Sequence, residues 1–282
     1  MPGYVSEAPI GVYRSGATLH AIENYEAFLG AQVEFVLDGI PDRPTWVQFE
    51  AGATPSGKTV ASWGGGQLGT RRLVLAVPAC VQGSSWDTEA SGANDAHWTA
   101  LGNTLVSNGL GNTVLRIARE FNGGWYPWTI GWASPAGHSA ASAIAGWRHI
   151  VSVLRAVPGQ EFTFMWNPTI GVQNGLLAVG GVEQAYPGGD YADVIGLDIY
   201  DGDWSGIYAN TLAPRTTAQQ LASFDQNILN CQDGLYAWDK LAQGWGKPLA
   251  YPEWGLRLWL DGTVYHGGGD NPLFVEAMAA GS

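Results

Sequence analysis

Glu120 and Glu253 each end an apolar, strand-like run, and each has a Trp within five residues. Glu120 lies in TVLRIAREFNGGWYPW over residues 113–128, and Glu253 in PLAYPEWG over residues 248–255. A carboxylate that closes a strand and opens an aromatic, glycine-rich loop is placed to meet a ligand rather than a core. Two facing carboxylates can divide labour: one stays protonated and gives its proton to a leaving group, the other stays ionised and attacks. Either glutamate alone reads equally well as a solvated charge at a strand end. It is the pair, with such similar neighbours, that points to chemistry.

The same stretch offers a cause for the division. Period-2 alternation puts Arg116, Ala118 and Glu120 on one face, so a guanidinium is expected below the carboxylate. Tyr200 is expected to end a neighbouring strand. A cation and a phenol donor favour the charged form of the carboxylate they touch, and we assign both to Glu253. Its charge would then raise Glu120. Trp125, with at least one of Trp128, Trp166 and Trp254, is expected to line the cleft beside the pair.

Other chemistries find less support. GGGQLG over 64–69 satisfies G-x-G-x-x-G, but it runs into TRRLVLAVP, a strand and not a helix whose N-terminus could face a phosphate. The histidines His20, His97, His138, His149 and His266 never fall at ligand spacing. There is no G-x-S-x-G elbow. Asp198, Asp201 and Asp203 could hold a cation but lack the Gly and Glu of a calcium loop; Asp198 and Tyr200 read better as neighbours at the mouth of a sheet. We therefore expect no cofactor and no metal.

The chain has 282 residues, 46% hydrophobic, with a formal charge of −12. That is enough to bury one large core, and the charge argues against nucleic acid, anionic membrane or a polyanion as partner. Its 14 Trp are about three to four times the number average composition gives. Trp63, Trp86, Trp125, Trp128, Trp132, Trp204, Trp254 and Trp259 stand in apparent loops, most of them beside Gly or Pro, where flat faces suit stacking on sugar rings. Cys80 and Cys231 are expected as free thiols, with one disulfide as the lesser alternative. No apolar run has the length of a membrane helix.

Strand-like runs alternate with longer amphipathic segments, the order expected of βα units. Strands are expected at 10–14, 33–37, 72–77, 114–120, 162–166, 194–200 and 248–251. Helices are expected at 20–29, 95–108, 140–157, 217–242 and 272–279, with a hairpin across Asp261-Gly262. Residues 41–70 form a long irregular stretch that could wall off one end of a groove. Seven strands are accounted for, and an eighth βα unit of roughly 30 residues has no sequence to occupy. The expectation is one domain over 1–282, an α/β (β/α)8 barrel lacking its last βα unit in this chain, in which the ends of strands four and seven face each other.

IGVY at the start, R-x-x-x-E-x-N-G-x-W-x-P-W around Glu120, GLDIYD after the sixth strand and KPLAYPEWG around Glu253 together resemble glycoside hydrolase family 26. That family belongs to the clan of retaining (β/α)8 glycosidases with glutamates after strands four and seven. The resemblance implies Glu120 as acid/base, Glu253 as nucleophile, Tyr200 as hydrogen-bond partner of the nucleophile and Trp125 at the border of the sugar cleft. Arg116, Arg119, Asn122, Trp125, Trp128, Trp166, Asp198, Tyr200 and Trp254 make up the expected substrate-binding set. The chain departs from the family at Arg119, where many members carry His before the acid/base.

The implied reaction is double displacement on a neutral β-linked polysaccharide, β-1,4-mannan foremost, with β-1,3-xylan, mixed-linkage β-glucan or a microbial cell-wall glycan as alternatives. Exo action stays open beside endo action. A glycan-binding barrel that has lost catalysis is the reading from another class, though a pure binding protein has no need of two facing carboxylates. A monomer is expected, outside the cell, where polymeric glycans lie.

Overall fold

The computed structural model describes residues 9–13, 18–131, 136–171, 181–203, 205–208, 214–256, 260–261 and 264–280. Its centre is a curled sheet of seven parallel strands. In order across the sheet these are β1 (Gly11–Tyr13), β2 (Phe35–Gly39), β3 (Arg72–Val77), β4 (Val114–Ile117), β5 (Thr163–Trp166), β6 (Val194–Gly196) and β8 (Leu249–Ala250). Helices return the chain between them: α1 (Leu19–Leu29), α2 (Trp46–Glu50), α3 (Trp86–Ala90), α4 (Asp95–Ser107), α5 (Ala140–Arg155), α6 (Thr217–Ser223) and α7 (Leu235–Trp245). Among the described residues no strand joins β1 to β8, so the sheet they form is open at both edges.

Local signals set the helix ends. The Thr18 hydroxyl accepts from the Ala21 amide at the start of α1, and Gly30 ends that helix at φ 76°. Thr45 with Gln48 and Thr216 with Gln219 form capping boxes. The helix expected over 217–242 is not continuous: α6 passes into a π-helical segment, Phe224–Leu229, and α7 begins after a turn in which Asp233 takes φ 55°.

Alternation along the strands sorts two apolar layers. Leu73, Leu75, Val77, Leu115 and Ile117 pack with Trp98, Leu101, Leu105, Trp147 and Ile150 into the larger core, which includes residues of α4 and α5. Leu37, Val74, Val114 and Met165 form a smaller cluster on the opposite face. Arg116 is two residues beyond Val114 in β4, hence on this second face, one layer nearer the carboxyl ends of the strands.

The expected strand over 194–200 is broken in two. β7 (Ile199–Asp201) pairs with β9 (Trp254–Leu256), aligning Ile199 with Trp254 and Tyr200 with Gly255. Across the gap the Leu197 amide donates to the Ala250 carbonyl at 2.9 Å, and the Ile199 amide to the Glu253 carbonyl at 2.8 Å. The interruption leaves Asp198 and Glu253 between ladder segments, free to project toward β4. The antiparallel pair β10 (Leu260–Asp261) and β11 (Val264–Tyr265) follows, then α8 (Pro272–Ala280). Residues 64–69 run through a turn into β3. Cys80 and Cys231 are both free thiols; Cys80 is buried and Cys231 is partly so.

Candidate active site

The site lies at the carboxyl ends of β4, β5, β6 and β8. β4 stops at Ile117, three residues earlier than expected, and Glu120 is presented by a turn rather than by the strand face. Ala118 and Glu120 both adopt left-handed backbone, at φ 51° and 50°, which costs about 1–2 kcal/mol for each residue with a Cβ. Four hydrogen bonds hold the turn. The Ala118 amide donates to the Val77 carbonyl at 2.8 Å, the Glu120 amide to Asn167 at 2.7 Å, and the Gly123 amide back to Glu120 at 2.9 Å. The Trp128 indole N–H donates to the Arg119 carbonyl at 2.8 Å.

Arg116 is the hub. Nη1 donates to Glu253 Oε1 at 2.8 Å, Nη2 to both Asp198 oxygens at 2.8 and 3.1 Å, and Nε to Asn167 Oδ1 at 2.6 Å. Asp198 is fully buried and also accepts from Asn167 Nδ2 at 3.2 Å. Tyr200 reaches Glu253 from the other side, its hydroxyl donating to Oε2 at 3.3 Å. One oxygen each of Glu120, Asp198 and Glu253 lie within 4.8 Å of one another. Such a triad is a conceivable cation cage, but Arg116 already bridges Asp198 and Glu253 and supplies the positive charge there.

The two glutamates differ in surroundings. Glu120 is 8% exposed, and the Trp125 indole donates to its Oε2 at 2.8 Å. Burial and then the Glu253 charge hold its carboxyl above the usual range; Trp125, Arg116 and Arg119 oppose this without cancelling it. Burial also works against charge on Glu253, yet Arg116, by charge and hydrogen bond, aided by Arg119 and Tyr200, holds it below the usual range. At a pH between the two, Glu253 is ionised and Glu120 carries a proton.

Arg119, the departure from the family pattern, turns toward the same nucleus. Its Nη2 donates to Asp42 Oδ1 at 2.8 Å, its Nε lies 3.8 Å from Glu253 Oε1, and its guanidinium sits 4.7 Å above the centre of the Tyr126 ring. Trp125 is 47% exposed beside Glu120, and Trp254 is 40% exposed beside Glu253. Gly123 makes room for Trp125: a Cβ there would stand 2.4–2.6 Å from indole atoms.

Several residues expected to bind substrate do something else. Trp128 is fully buried and stacks on Tyr126 at 4.6 Å, where it supports the Glu120 turn. Trp166 is buried among Phe121, Tyr186, Trp238 and Trp245. The Asn122 amide is spent on the Thr169 backbone, donating to its carbonyl and accepting from its N–H, both at 2.9 Å. Asp198 lies beneath the site and touches substrate space only through Arg116. Trp63 and Trp86 are core residues, and Trp132, Trp204 and Trp259 lie outside the described residues. Nor do Asp198, Asp201 and Asp203 converge: Asp201 accepts from Tyr208 and Asn271, and Asp203 from Ser205, Gly206, Tyr208 and Asn227.

The sequence reading missed three residues. Asn167 was signalled only by an Asn-Pro step at the end of a strand. Asp42 and Tyr126 carried no local signal.

Fold and site together define an α/β protein with paired carboxylates at the carboxyl ends of parallel strands. The family whose model matches is glycosyl hydrolase family 26, over residues 105–244. Endoglucanase H of Acetivibrio thermocellus is 31% identical over 151 residues, 53% of this chain and 15% of that protein. The chain thus spans a small part of the curated relative it matches. A solved structure of a double mutant of the Cellulomonas fimi endo-β-1,4-mannanase superposes with a TM-score of 0.57 at 16% identity, covering 91% of this chain and 57% of that one. The likeness there is one of fold.

Proposed function

We propose that this chain is the catalytic part of a retaining O-glycoside hydrolase that cuts a neutral β-linked polysaccharide internally, β-1,4-mannan foremost, and that its sheet is most of a (β/α)8 barrel forming one domain. The observation that carries this is the opposite polarisation of Glu120 and Glu253 across less than 4.8 Å. A retaining pair stands about 5–5.5 Å apart, whereas an inverting pair needs about 6.5–9.5 Å to admit water. The Glu253 carboxylate attacks the anomeric carbon while Glu120 gives its proton to the departing glycosidic oxygen. In the second half Glu120 takes a proton from water, which displaces Glu253 and frees the sugar. Trp125 and Trp254 offer exposed ring faces on either side of the pair, each contributing roughly 1 kcal/mol by stacking. Polymeric substrate places the enzyme outside the cell, acting as a monomer.

The curated relative is named an endoglucanase, which favours β-glucan as the second substrate to try. Release of reducing ends should be measured on mannan, mixed-linkage β-glucan, β-1,3-xylan and microbial cell-wall glycans, with Glu253→Ala as control. Release from mannan that vanishes in the variant is expected. Binding without release on every glycan would favour a carbohydrate-binding barrel instead.

A further inference from the structure

Arg119 is held from two directions by residues the reaction does not itself require. Asp42 lies on the loop after β2, two residues beyond Ile40, whose amide donates to the Ala76 carbonyl at 2.9 Å and whose side chain is buried. That anchor brings the carboxylate to Arg119 Nη2 at 2.8 Å although 77 residues separate them. Beneath the guanidinium is the Tyr126 ring, itself backed by Trp128. With its end tied to Asp42 and its face on a ring, Arg119 stops 3.8 Å short of Glu253 Oε1, an oxygen that already accepts from Arg116 at 2.8 Å.

We propose that Asp42 is a positioning residue: it holds Arg119 off Glu253 and thereby keeps the Glu253 carboxylate reactive. This role rests on Glu253 being the nucleophile. The groups facing Glu253 are Arg116 from β4, Arg119 and Glu120 from the turn after it, Asp198 after β6 and Tyr200 of β7. Tyr126 and Asp42 face it through Arg119. Of these, Arg119 is a cation whose other contacts, a partly exposed carboxylate and a ring face, leave it able to shift by about an ångström. Without Asp42 it would close from this long ion-pair distance onto Glu253 and make a second hydrogen-bonded pair. A carboxylate neutralised by two guanidinium groups is ionised to lower pH and is a weaker nucleophile.

The test is a double-mutant cycle read by 13C NMR of glutamate-labelled protein, with the Glu253 carboxyl assigned by Glu253→Gln. Asp42→Asn should move the Glu253 titration to lower pH. In the Arg119→Met background the same substitution should move it by less than half as much. Equal shifts in both backgrounds would show that Asp42 acts only by its own charge, and an absent or upward shift would show that it does not restrain Arg119; either overturns the proposal. Asp42→Asn should also lower kcat about threefold to tenfold with KM little changed, and Arg119→Met should remove that effect. The titration needs no turnover, so a wild-type protein inert on every glycan would count against the proposed function and leave the cycle intact.

Discussion

Glu120 and Glu253 are the same side chain at the ends of strands of one sheet, and the molecule treats them oppositely. At Glu253 the ladder is interrupted so that the carboxylate meets a buried arginine, a phenol and a second arginine. At Glu120 the backbone is bent through two left-handed residues, and the carboxyl is buried with the Trp125 indole N–H donating to it. The carboxyl end of the sheet does not assign roles by residue type. It does so by where it places Arg116: one layer down, close to the seventh strand's glutamate, and with Asp198 and Asn167 fixing the fork.

The largest way to break this contrast is to delete each carboxyl in turn. Glu253→Ala should lose activity on every substrate, by about 10³-fold or more, since no attacking group remains. Glu120→Ala should lose activity on polysaccharide while keeping some on aryl glycosides whose leaving group needs no proton. Steady-state kcat on both substrate types checks the asymmetry, and an equal loss on both would erase it.

Arg116→Met removes the hub and leaves Asp198 and Glu253 facing each other without a cation. Breaking a buried ion pair costs about 3–5 kcal/mol, to be read by urea unfolding. The sign of the pH effect also follows. Glu253 loses the group that lowers it, so in whatever fraction folds, the acid limb of the activity profile should move up. The wild-type profile should be a bell, falling on the acid side as Glu253 takes up a proton and on the alkaline side as Glu120 loses one.

A smaller change sharpens the Glu120 side. Trp125→Phe keeps the ring and removes the N–H that favours the Glu120 anion, a bond worth roughly 1 kcal/mol. Glu120 should rise further and the alkaline limb should move to higher pH. Gly123→Ala, which crowds the indole, should move the limb the same way, and a limb that stays put in both variants would show that this hydrogen bond does not set Glu120.

What the sequence makes legible here is order and position along strands. Apolar runs ending at Glu120 and Glu253, and the spacing that carries Arg116 to the inner face with Val114, suffice to bring those three side chains into one place. Alternation fails where the ladder stops. It cannot foresee that β4 ends at Ile117, that Glu120 hangs on a strained turn, or that one expected strand breaks at Asp198. Nor does an aromatic in a glycine-rich loop announce which way its ring turns. Trp125 faces solvent, and Trp128, three residues on, is buried, because Gly123 admits the first ring and Tyr126 covers the second. Asn122 reads as a loop polar group until Thr169 is seen to occupy it. Asp42 is beyond any local pattern, since its meaning depends on a contact 77 residues away.

The central claim is that two oppositely polarised carboxyl groups stand close enough for one to attack carbon directly. Proton NMR of the first sugar released from β-1,4-mannan, or from whichever β-glycan is cleaved, tests it before mutarotation scrambles the signal. The expected result is a β-configured reducing end at early time, turning to the equilibrium mixture later. An α-configured product at the first time point would contradict the account, because it would require water rather than Glu253 as the attacking group.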